Sequence, residues 1–446
     1  MSPYSDDATS APGRSEQGQR WSVGAARYSR RSFIGATALL GLTACVGGNP
    51  GSASSSSTVG TTSGDAPALP PKDTAATLNI WGYEPADTSG WIPRTIAALK
   101  AEYPNVKIEY TYVPPDSFVQ KALGASATGQ KPDGFWYNAS DGANLAQAGL
   151  LAGLNPYWDA FPDKGQFPDS VVWKYNEQVI SVQGYITTTA LFYNKTILAK
   201  AGLSAPPGTV DEFTAQLEKI KAAGYQGFAM SADKGRSEFD FFPWCLGEGL
   251  NYGSWDKDKL TALLQRFRDW ITAGYIPQDA VTWSRADAWS KFAGGNFAFG
   301  QNGNWKLTEA KALSFDWGAA PIPAGSAGSH SIGGGGGFSI GSQASNPALA
   351  WRFFEQGLLT KSTEQTIFRA KGRLPARKDG ISGLPEAKDP NLKAFVEVVA
   401  NLGARPGSPL ISEYLVVVSN VFSAVCSGQA TPLAGAEQII AQCSKL

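Results

Sequence analysis

Short apolar runs and helical periodicities follow one another through most of the chain. The runs at 77–83 and 134–137 predict buried strands, and the segment 106–113 alternates apolar and polar residues, which predicts a third strand. Between these strands, 91–103 and 118–127 carry apolar residues at the spacing of an amphipathic helix. Strands that alternate with helices predict a parallel sheet covered on both faces, so the fold class is α/β.

The middle and the end of the chain continue this order. Thr209 and Glu212 form the pattern of a capping box, which predicts that a helix begins there. No stretch after residue 45 is long and apolar enough to cross a bilayer. The remaining pattern predicts strands at 191–194, 227–230 and 297–300, helices at 195–201, 260–273 and 286–292, an extended segment at 317–323, and C-terminal helices at 392–402, 412–426 and 434–443.

The N-terminus has a different pattern. Arg30 and Arg31 precede an apolar run of about a dozen residues, too short to span a bilayer, and the residues LTAC at 42–45 follow. This order resembles a twin-arginine export signal joined to a bacterial lipobox. It predicts that 1–45 is a signal peptide ending at Cys45, and that lipid on Cys45 anchors the chain to the extracellular face of the cell membrane. The alternative is a cytosolic protein with a basic tail.

Residues 46–75 predict a flexible tether. From 46 to 71 the chain is almost entirely Gly, Ser, Thr, Pro and Ala, which cannot bury enough surface to offset its ordering entropy. The folded part is therefore expected to begin near Asp73. About 370 residues follow, and at roughly 100–200 residues per domain they suggest two domains.

Composition narrows the choice of partner. The 446 residues include 38 Lys and Arg against 38 Asp and Glu, and this balance argues against a nucleic-acid partner, which needs a basic face. It also argues against charge-driven binding to an anionic lipid surface. Charged residues make up only 17% of the chain, while 14 tryptophans suggest a ligand with flat apolar faces and hydroxyl edges. The competing interpretation, expected to hold for most of these tryptophans, is that they fill the hydrophobic core.

The four cysteines allow one bridge. With Cys45 assigned to lipid, three remain, and one pair could be oxidised outside the cell. Cys426 and Cys443 lie on consecutive predicted helices, which makes them the favoured pair if their side chains meet. Cys245 would then be a buried thiol. One histidine and scattered cysteines do not supply a zinc site, so no metal and no cofactor are expected.

An ordered set of motifs resembles one family. The set covers the chain from about residue 77 to the end. It resembles family 1 extracellular solute-binding proteins, the substrate-capture subunits of sugar ABC importers. The motifs are YNK at 193–195, AGL at 201–203, PP at 206–207, DEF at 211–213, GYQGFA at 224–229, WSKFAGGNFAF at 289–299, NGNW at 302–305, DWGAAPIP at 316–323, NPALAW at 346–351 and GRLPAR at 372–377.

The resemblance implies a two-lobe periplasmic-binding-protein fold of type II. Each lobe would be a sheet flanked by helices, and hinge strands near 186–192 and 317–322 and after Pro375 would join them. The first lobe would hold 76–188 plus 322–375, and the second would hold 189–318 plus 376–446. The implied protein is a monomer that binds a carbohydrate and delivers it to membrane permease subunits, without catalysis.

The resemblance also implies a sugar site in the cleft between the lobes. Sugars need an aromatic platform for their C–H face and polar groups for their hydroxyls. Trp305, in the NGNW motif with Asn302, is the expected platform. Tyr83 and Glu84 follow the first strand at a family ligand position. For Trp305 the competing interpretation is a core residue, and for Tyr83 and Glu84 it is a solvated loop.

Several further positions are candidates for this site. Asn138 and Asp141 follow a buried strand, although family members more often carry an aspartate closer to the tryptophan. Phe239 and Asp240 belong to an aromatic run of which half is expected in the core. The others are Trp283 as a second platform, Thr188 in the first crossing, Gly335 and Gly336 as open backbone, and Arg373 as a donor to hydroxyls or a surface ion pair.

Enzyme interpretations have weaker support. The sequence GFSIG at 337–341 matches a hydrolase elbow, but the only histidine, His330, precedes the serine instead of following it. A glycoside hydrolase needs two facing carboxylates, and Glu84, Asp141 and Asp240 could supply them, although no pattern pairs them. A binder of a non-sugar solute and a structural lipoprotein are the remaining alternatives.

Overall fold

The computed structural model describes residues 65–86, 90–130, 132–234, 237–399, 402–403, 408 and 410–444. The predicted signal peptide, the lipidation residue Cys45 and most of the predicted tether lie outside the described residues. All described residues belong to one compact unit, Ser55–Leu446. Within them, no helix combines the length and the apolar character needed to cross a membrane.

Strands and helices alternate, as the sequence predicts. The strands are β1 (Ala76–Gly82), β2 (Val106–Tyr112), β3 (Gly134–Asn138), β4 (Val172–Tyr175), β5 (Gln178–Gln183), β6 (Thr189–Asn194), β7 (Gln226–Ala229), β8 (Phe297–Gly303), β9 (Trp317–Ala320), β10 (Ser331–Ile332), β11 (Gly336–Ile340) and β12 (Leu402–Gly403). The α-helices are α1 (Trp91–Glu102), α2 (Phe118–Ala127), α3 (Gly142–Gln147), α4 (Asn155–Ala160), α5 (Lys195–Lys200), α6 (Val210–Ala222), α7 (Glu238–Gly247), α8 (Lys257–Thr272), α9 (Arg285–Ala293), α10 (Leu307–Ala310), α11 (Pro347–Leu358), α12 (Lys361–Lys371), α13 (Pro390–Val399), α14 (Ile411–Ser427) and α15 (Pro432–Cys443).

The larger sheet has six strands in the order β2-β1-β3-β11-β5-β4. β1 pairs in parallel with β2 and β3, while β11 is antiparallel to β3 and β5. Successive side chains of a strand point to opposite faces of this sheet, and both faces are buried. Leu78 and Trp136 belong to one buried cluster, and Trp81 and Phe135 belong to a second cluster on the opposite face.

The smaller sheet has four strands in the order β7-β8-β6-β9. β6 is antiparallel to both β8 and β9, and β7 is parallel to β8. The helix α6 begins with the predicted capping box, in which the Thr209 side chain accepts from the Glu212 backbone N–H and the Glu212 side chain accepts in return. α13 and α9 pack against this sheet and complete its buried faces.

The chain passes from the larger sheet to the smaller between β5 and β6. In this segment Ile186 bridges Leu374, and Thr187 bridges Gly334. The side chain of Asn304, which is fully buried, donates to the carbonyls of Ile186 at 3.2 Å and Gly372 at 2.9 Å. Its Oδ1 accepts from the Thr188 backbone N–H at 2.8 Å. The lobe boundaries given above stay a prediction.

Three sequence expectations need correction. The sheet predicted to be parallel is mixed in both parts of the fold, since β11 is antiparallel to β3 and β5, and β6 is antiparallel to β8 and β9. The predicted helix 392–402 is wrong at its end, because α13 covers Pro390–Val399 and residues 402–403 pair with Ser331–Ile332 as a strand. Gly403 favours this outcome because glycine is a poor helix former. The expected bridge between Cys426 and Cys443 is also not formed, since both are buried free thiols, as is Cys245.

Helix geometry explains the free thiols. Cys426 lies next to the end of α14, beside the short connection to α15, whereas Cys443 ends α15. A helix rises 1.5 Å per residue, which places Cys443 roughly 17 Å further along α15. A disulfide needs Cα atoms within about 7 Å. Burial raises the pKa of Cys443 to about 11, so its thiol is also a poor nucleophile at neutral pH.

Candidate ligand-binding site

Four residues form a group that we call the carboxylate cluster: Tyr83, Glu84, Tyr185 and Arg373. Glu84 is 9% exposed and stands just past the end of β1. Its Oε1 accepts from the Tyr185 hydroxyl at 2.8 Å and pairs with Arg373 Nη2 at 3.0 Å. The Tyr83 and Tyr185 hydroxyls are hydrogen-bonded to each other. This arrangement holds one carboxylate and one guanidinium together beside two phenols.

Two indoles complete the surroundings of Glu84. Its Oε2 lies 3.4 Å from Trp91 Nε1 and 3.3 Å from Trp136 Nε1, and both indoles donate to it. Both carboxylate oxygens of Glu84 are therefore occupied by protein donors. The sequence singled out Glu84 as a ligand contact, and the structure gives it a full set of partners within the protein.

The charges of the cluster are set by burial and by mutual contact. Burial raises the pKa values of Tyr83 and Tyr185 well above that of a free tyrosine, and the neighbouring Glu84 acts in the same direction. Burial alone would lower the pKa of Arg373, but Tyr185 and Glu84 outweigh it and raise that pKa. At neutral pH the phenols are thus neutral hydrogen-bonding groups, and Arg373 is cationic.

Arg373 keeps donor capacity beyond its ion pair. Its guanidinium carbon lies 4.6 Å from the centroid of the Tyr185 ring. Its Nε is buried, and among the described residues it has no hydrogen-bond partner. A buried donor without an acceptor is uncommon in folded proteins, so Arg373 holds one unsatisfied N–H beside its ion pair.

Three other residues form a second group, the aromatic cluster: Phe239, Arg285 and Trp305. The Phe239 and Trp305 rings meet edge to face, with centroids 6.3 Å apart. The Arg285 guanidinium carbon lies 4.8 Å from the Phe239 centroid and 6.0 Å from the Trp305 centroid. Arg285 Nε donates to Asp240 Oδ2 at 3.2 Å, and Asp240 is 1% exposed. Asp240 therefore anchors the arginine that lies over both rings.

The end of β8 positions Trp305. A Cβ atom on Gly303 would lie 2.0 Å from the indole, so only glycine lets the ring fold back over the strand end. Asn302 supports this turn, because its Oδ1 accepts from the Gly303 N–H at 3.0 Å and its Nδ2 donates to the Arg285 carbonyl at 3.2 Å. Trp305 is half-buried, which leaves part of the ring open to solvent.

The glycine run connects the two clusters. Phe239 packs against Gly334, since a Cβ there would lie 2.8 Å from the Phe239 ring. Gly335 has a φ of 146°, which favours glycine, and a Cβ would lie 2.2 Å from the Tyr185 carbonyl. Gly336 lies against the Trp136 ring in the same way. Phe239 of the aromatic cluster thus adjoins Gly334, and Tyr185 of the carboxylate cluster adjoins the next residue, Gly335.

The structure places the other predicted residues apart from these clusters or at their border. Thr188 is fully buried and bonds Ser331 Oγ at 2.7 Å, and Trp283 is buried against Phe297 at the far end of β8. Asn138 pairs with Gly336 in the sheet. Asp141 is the N-cap residue of α3 and is close enough to Tyr83 to raise the pKa of its phenol.

Sequence reasoning missed Arg285, Tyr185, Trp91 and Trp136 as parts of the site. Trp91 and Trp136 occur in predicted elements that looked like ordinary core, and Tyr185 falls just after a strand that was not predicted. Arg285 lies on α9, one residue after the N-cap Ser284, where nothing in the local pattern marks it. In the described part of the chain, no group of three or more His, Cys, Asp or Glu side chains could hold a metal ion.

Comparisons with known proteins agree with this architecture. The family described as bacterial extracellular solute-binding proteins matches residues 94–394. A Brucella abortus protein named as a binding protein is 24% identical over 364 residues, which are 78% of this chain and 87% of that protein. The family match covers Tyr185 and Arg373 of the carboxylate cluster and the whole aromatic cluster.

Two solved structures have the same fold. The GacH receptor of Streptomyces glaucescens, studied without ligand and with acarbose, superposes with a TM-score of 0.72 at 22% identity and covers 84% of this chain and 100% of its own. Maltose-bound MalE3 of T. maritima gives a TM-score of 0.70 at 21% identity, covering 82% of this chain and 98% of its own. The predicted α/β two-lobe fold is therefore confirmed, and the chain belongs to the bacterial extracellular solute-binding proteins.

Proposed function

We propose that this protein captures a mono- or oligosaccharide for an ABC importer and delivers it to the permease subunits. The observation that carries the proposal is that the glycine run joins two clusters, one with the half-buried Trp305 ring and the other with the unpartnered Arg373 Nε donor. The two solved relatives described above bind acarbose and maltose, and this supports a carbohydrate as the ligand.

The two clusters match the chemistry of a sugar ring. The C–H face of a pyranose packs on an aromatic ring, for which Trp305 and Phe239 provide the surface. The hydroxyl edge accepts from a guanidinium and exchanges hydrogen bonds with phenols, which Arg373, Tyr83 and Tyr185 provide. Because Glu84 and Asp240 each pair with an arginine, the site carries little net charge. Such a site favours a neutral polyol over an ionic solute.

The proposed role requires ligand binding and lobe closure but no catalytic step. Ligand bound to both sheets would favour a closed arrangement of the lobes, and the permease would recognise that form. Glu84, within the carboxylate cluster, and Asp240, which holds Arg285 of the aromatic cluster, are each committed to an arginine and to further donors. Neither is placed as a proton donor or nucleophile, and this supports a binder over a glycoside hydrolase.

The N-terminal motif supplies the proposed location. Membership of an extracellular family agrees with export, and Arg30, Arg31 and the lipobox ending at Cys45 support the twin-arginine route with a lipid anchor. The anchor would keep the binding protein close to its permease. Mass spectrometry of the protein from membranes would show diacylglycerol on Cys45, and a soluble protein that retains residues 1–44 would contradict this part of the proposal.

The sugar proposal is tested by thermal unfolding of the purified protein with a panel of mono- and oligosaccharides. A ligand at about 100 times its dissociation constant stabilises the folded state by about 2.7 kcal/mol, which raises the unfolding midpoint by several degrees. A rise with at least one sugar, recovered intact, is expected. If peptides or polyamines raise the midpoint and no sugar does, the carbohydrate assignment is wrong. Cleavage of the sugar would instead indicate a hydrolase.

A further inference from the structure

A cavity of about 810 Å³ opens beside the glycine run, at the β4–β5 edge of the larger sheet. Gly334 lines it and also packs against Phe239 of the aromatic cluster, so the cavity begins where the proposed sugar site ends. No member of the carboxylate cluster lines it. Ligand sites of proteins have volumes of roughly 300–1,000 Å³, and this space is therefore large enough for a ligand.

Trp173 offers an aromatic surface in this cavity. It lies on the edge strand β4, is half-buried, and makes no ring-to-ring contact with another aromatic residue in the described part of the chain. The pairing of β4 with β5 shifts register between Trp173 and Lys174. Such bulges redirect side chains and are frequent beside functional sites. The other aromatic residues of the wall, Trp158 and Phe167, pack against each other instead.

Gln183 supplies a polar group next to this ring. It is 4% exposed, and its Oε1 accepts from Trp173 Nε1 at 3.2 Å. Its Nε2 is buried and lacks a hydrogen-bond acceptor among the described residues. Buried amide donors are almost always paired, so the wall of a roomy cavity holds one donor that an oxygen atom of an occupant would satisfy.

The charges around the cavity favour a neutral occupant. Lys164 pairs with Asp159 at 3.2 Å, and Lys378 donates to the Gly165 carbonyl at 3.0 Å. Lys174 and Asp169 add one charge of each sign at the exposed margin. An aromatic face beside an amide donor, without a strong charge of either sign, is the combination that suits a sugar ring.

We propose that this cavity is an extension subsite, in which further rings of a neutral oligosaccharide lie against Trp173 and accept from Gln183. The inference rests on the proposed function, and it narrows the ligand from any sugar to an oligosaccharide. One ring would occupy the space between the two clusters, and the chain would continue past Gly334 into the cavity.

Isothermal titration of the full chain with two series of sugars tests this inference. The series are glucose to maltotetraose and mannose to mannotetraose. For the series that binds, we expect the dissociation constant to fall about tenfold or more from the monosaccharide to the trisaccharide, as added contacts lower the free energy of binding. In Trp173→Ala this ratio should fall towards one, and Trp173→Phe should restore part of it.

Control variants separate the possible failures. Trp255→Ala removes a half-buried tryptophan that packs on Phe242, outside both clusters and the predicted hinge strands, and should keep the wild-type ratio. Gln183→Leu tests the subsite without removing the ring, and should also lower the ratio. If all chain lengths bind equally, or if Trp173→Ala and Gln183→Leu leave the ratio unchanged, the subsite is refuted while the sugar proposal stands. If no sugar of these series or of the thermal-unfolding panel binds, the sugar proposal fails and the subsite falls with it.

Discussion

Two arginines set the charge of the candidate site. Arg373 neutralises Glu84, and Arg285 neutralises Asp240 while its guanidinium covers two aromatic rings. Each arginine thus contacts a buried acid on one side and aromatic groups on another. The acids orient the arginines, and the arginines are the groups that can donate hydrogen bonds to a neutral ligand.

Removing Arg373 should destabilise the fold through the charge it leaves behind. In Arg373→Met the Glu84 carboxylate stays in a buried site without its cation, and we expect a loss of about 2–4 kcal/mol in the free energy of unfolding. This is less than for a fully enclosed pair because the Arg373 side chain is 23% exposed. Urea unfolding measures the loss, and the double variant with Glu84→Gln should recover part of it.

An exposed ion pair provides the matched control for Arg373. Lys107 and Glu109 form a pair whose side chains are 70% and 46% exposed. Lys107→Met should change the free energy of unfolding by less than about 1 kcal/mol. Equal losses in Lys107→Met and Arg373→Met would show that burial of Glu84 does not govern the effect.

Glu364 is a buried acid that should give stability a characteristic pH dependence. It is 1% exposed, its Oε2 accepts from the Arg377 N–H at 3.0 Å, and its Oε1 has no partner among the described residues. Burial raises its pKa well above the ordinary value, although the Arg377 contacts act in the opposite direction. The folded state therefore holds the proton more tightly than the unfolded state. Its stabilising contribution is complete below about pH 4.3 and is lost as the pH rises through the folded pKa.

The variant Glu364→Gln should remove this dependence. The difference in free energy of unfolding, Gln variant minus wild type, is expected to grow as the pH is raised from 4 to 7, because only the wild type loses a proton on unfolding. Urea unfolding at several pH values gives this difference. Glu397→Gln, an exposed change on α13, should give a difference that does not rise with pH. A constant difference for Glu364→Gln as well would mean that Glu364 is ionised in the folded protein.

At the scale of elements, one asparagine joins three segments of the chain. Asn304 bonds the backbone of Ile186, Thr188 and Gly372. Asn304→Ala leaves two carbonyls and one N–H buried without this partner, and we expect a loss of about 3 kcal/mol. Asn251→Ala, in an exposed loop, should cost less than about 0.5 kcal/mol. Urea unfolding of both variants measures these losses in the free energy of unfolding. A small loss for Asn304→Ala would show that water replaces the side chain.

Elements with strong local signals could be predicted from the sequence, and those fixed by tertiary contacts could not. The capping box of α6 and the period-two pattern of β2 were sufficient to place these elements. The β4–β5 hairpin was missed because its turn residues, Asn176 and Glu177, both have positive φ without being glycine. Strand β12 was missed because it exists only through its pairing with β10.

The candidate site shows the same division. Trp305 and Arg373 became candidates because they stand in motifs that the family resemblance supplies, and their role in binding stays a prediction. Arg285 was not found, because its role comes from α9 bringing it over Phe239 and Trp305, a contact that no sequence spacing encodes. Trp283 has the composition of a platform residue, yet it packs on Phe297. Residue type alone does not distinguish these two tryptophans.

At the scale of the whole molecule, ligand binding and folding are linked, and the two tryptophans should respond in opposite ways. Trp283 is 6% exposed, and its removal in Trp283→Ala should cost about 3–5 kcal/mol of stability. Trp305 is half-buried beside the proposed ligand, so Trp305→Ala should cost less stability but weaken binding. Thermal unfolding with and without the sugar identified in the panel measures both effects.

The ligand-induced rise in the unfolding midpoint is the quantity that separates the two roles. The free energy behind this rise is set by the ligand concentration and the dissociation constant, so a variant with unchanged affinity keeps a rise of similar size. Trp283→Ala should therefore unfold at a lower temperature yet keep the rise, and Trp283→Phe serves if the alanine variant does not fold. Trp305→Ala should lose most of the rise, because the sugar no longer has its aromatic platform. If Trp305→Ala keeps the full rise, Trp305 is not part of the ligand site. The proposed sugar site would then lack its aromatic platform, and the observation on which the proposed function rests would no longer support it.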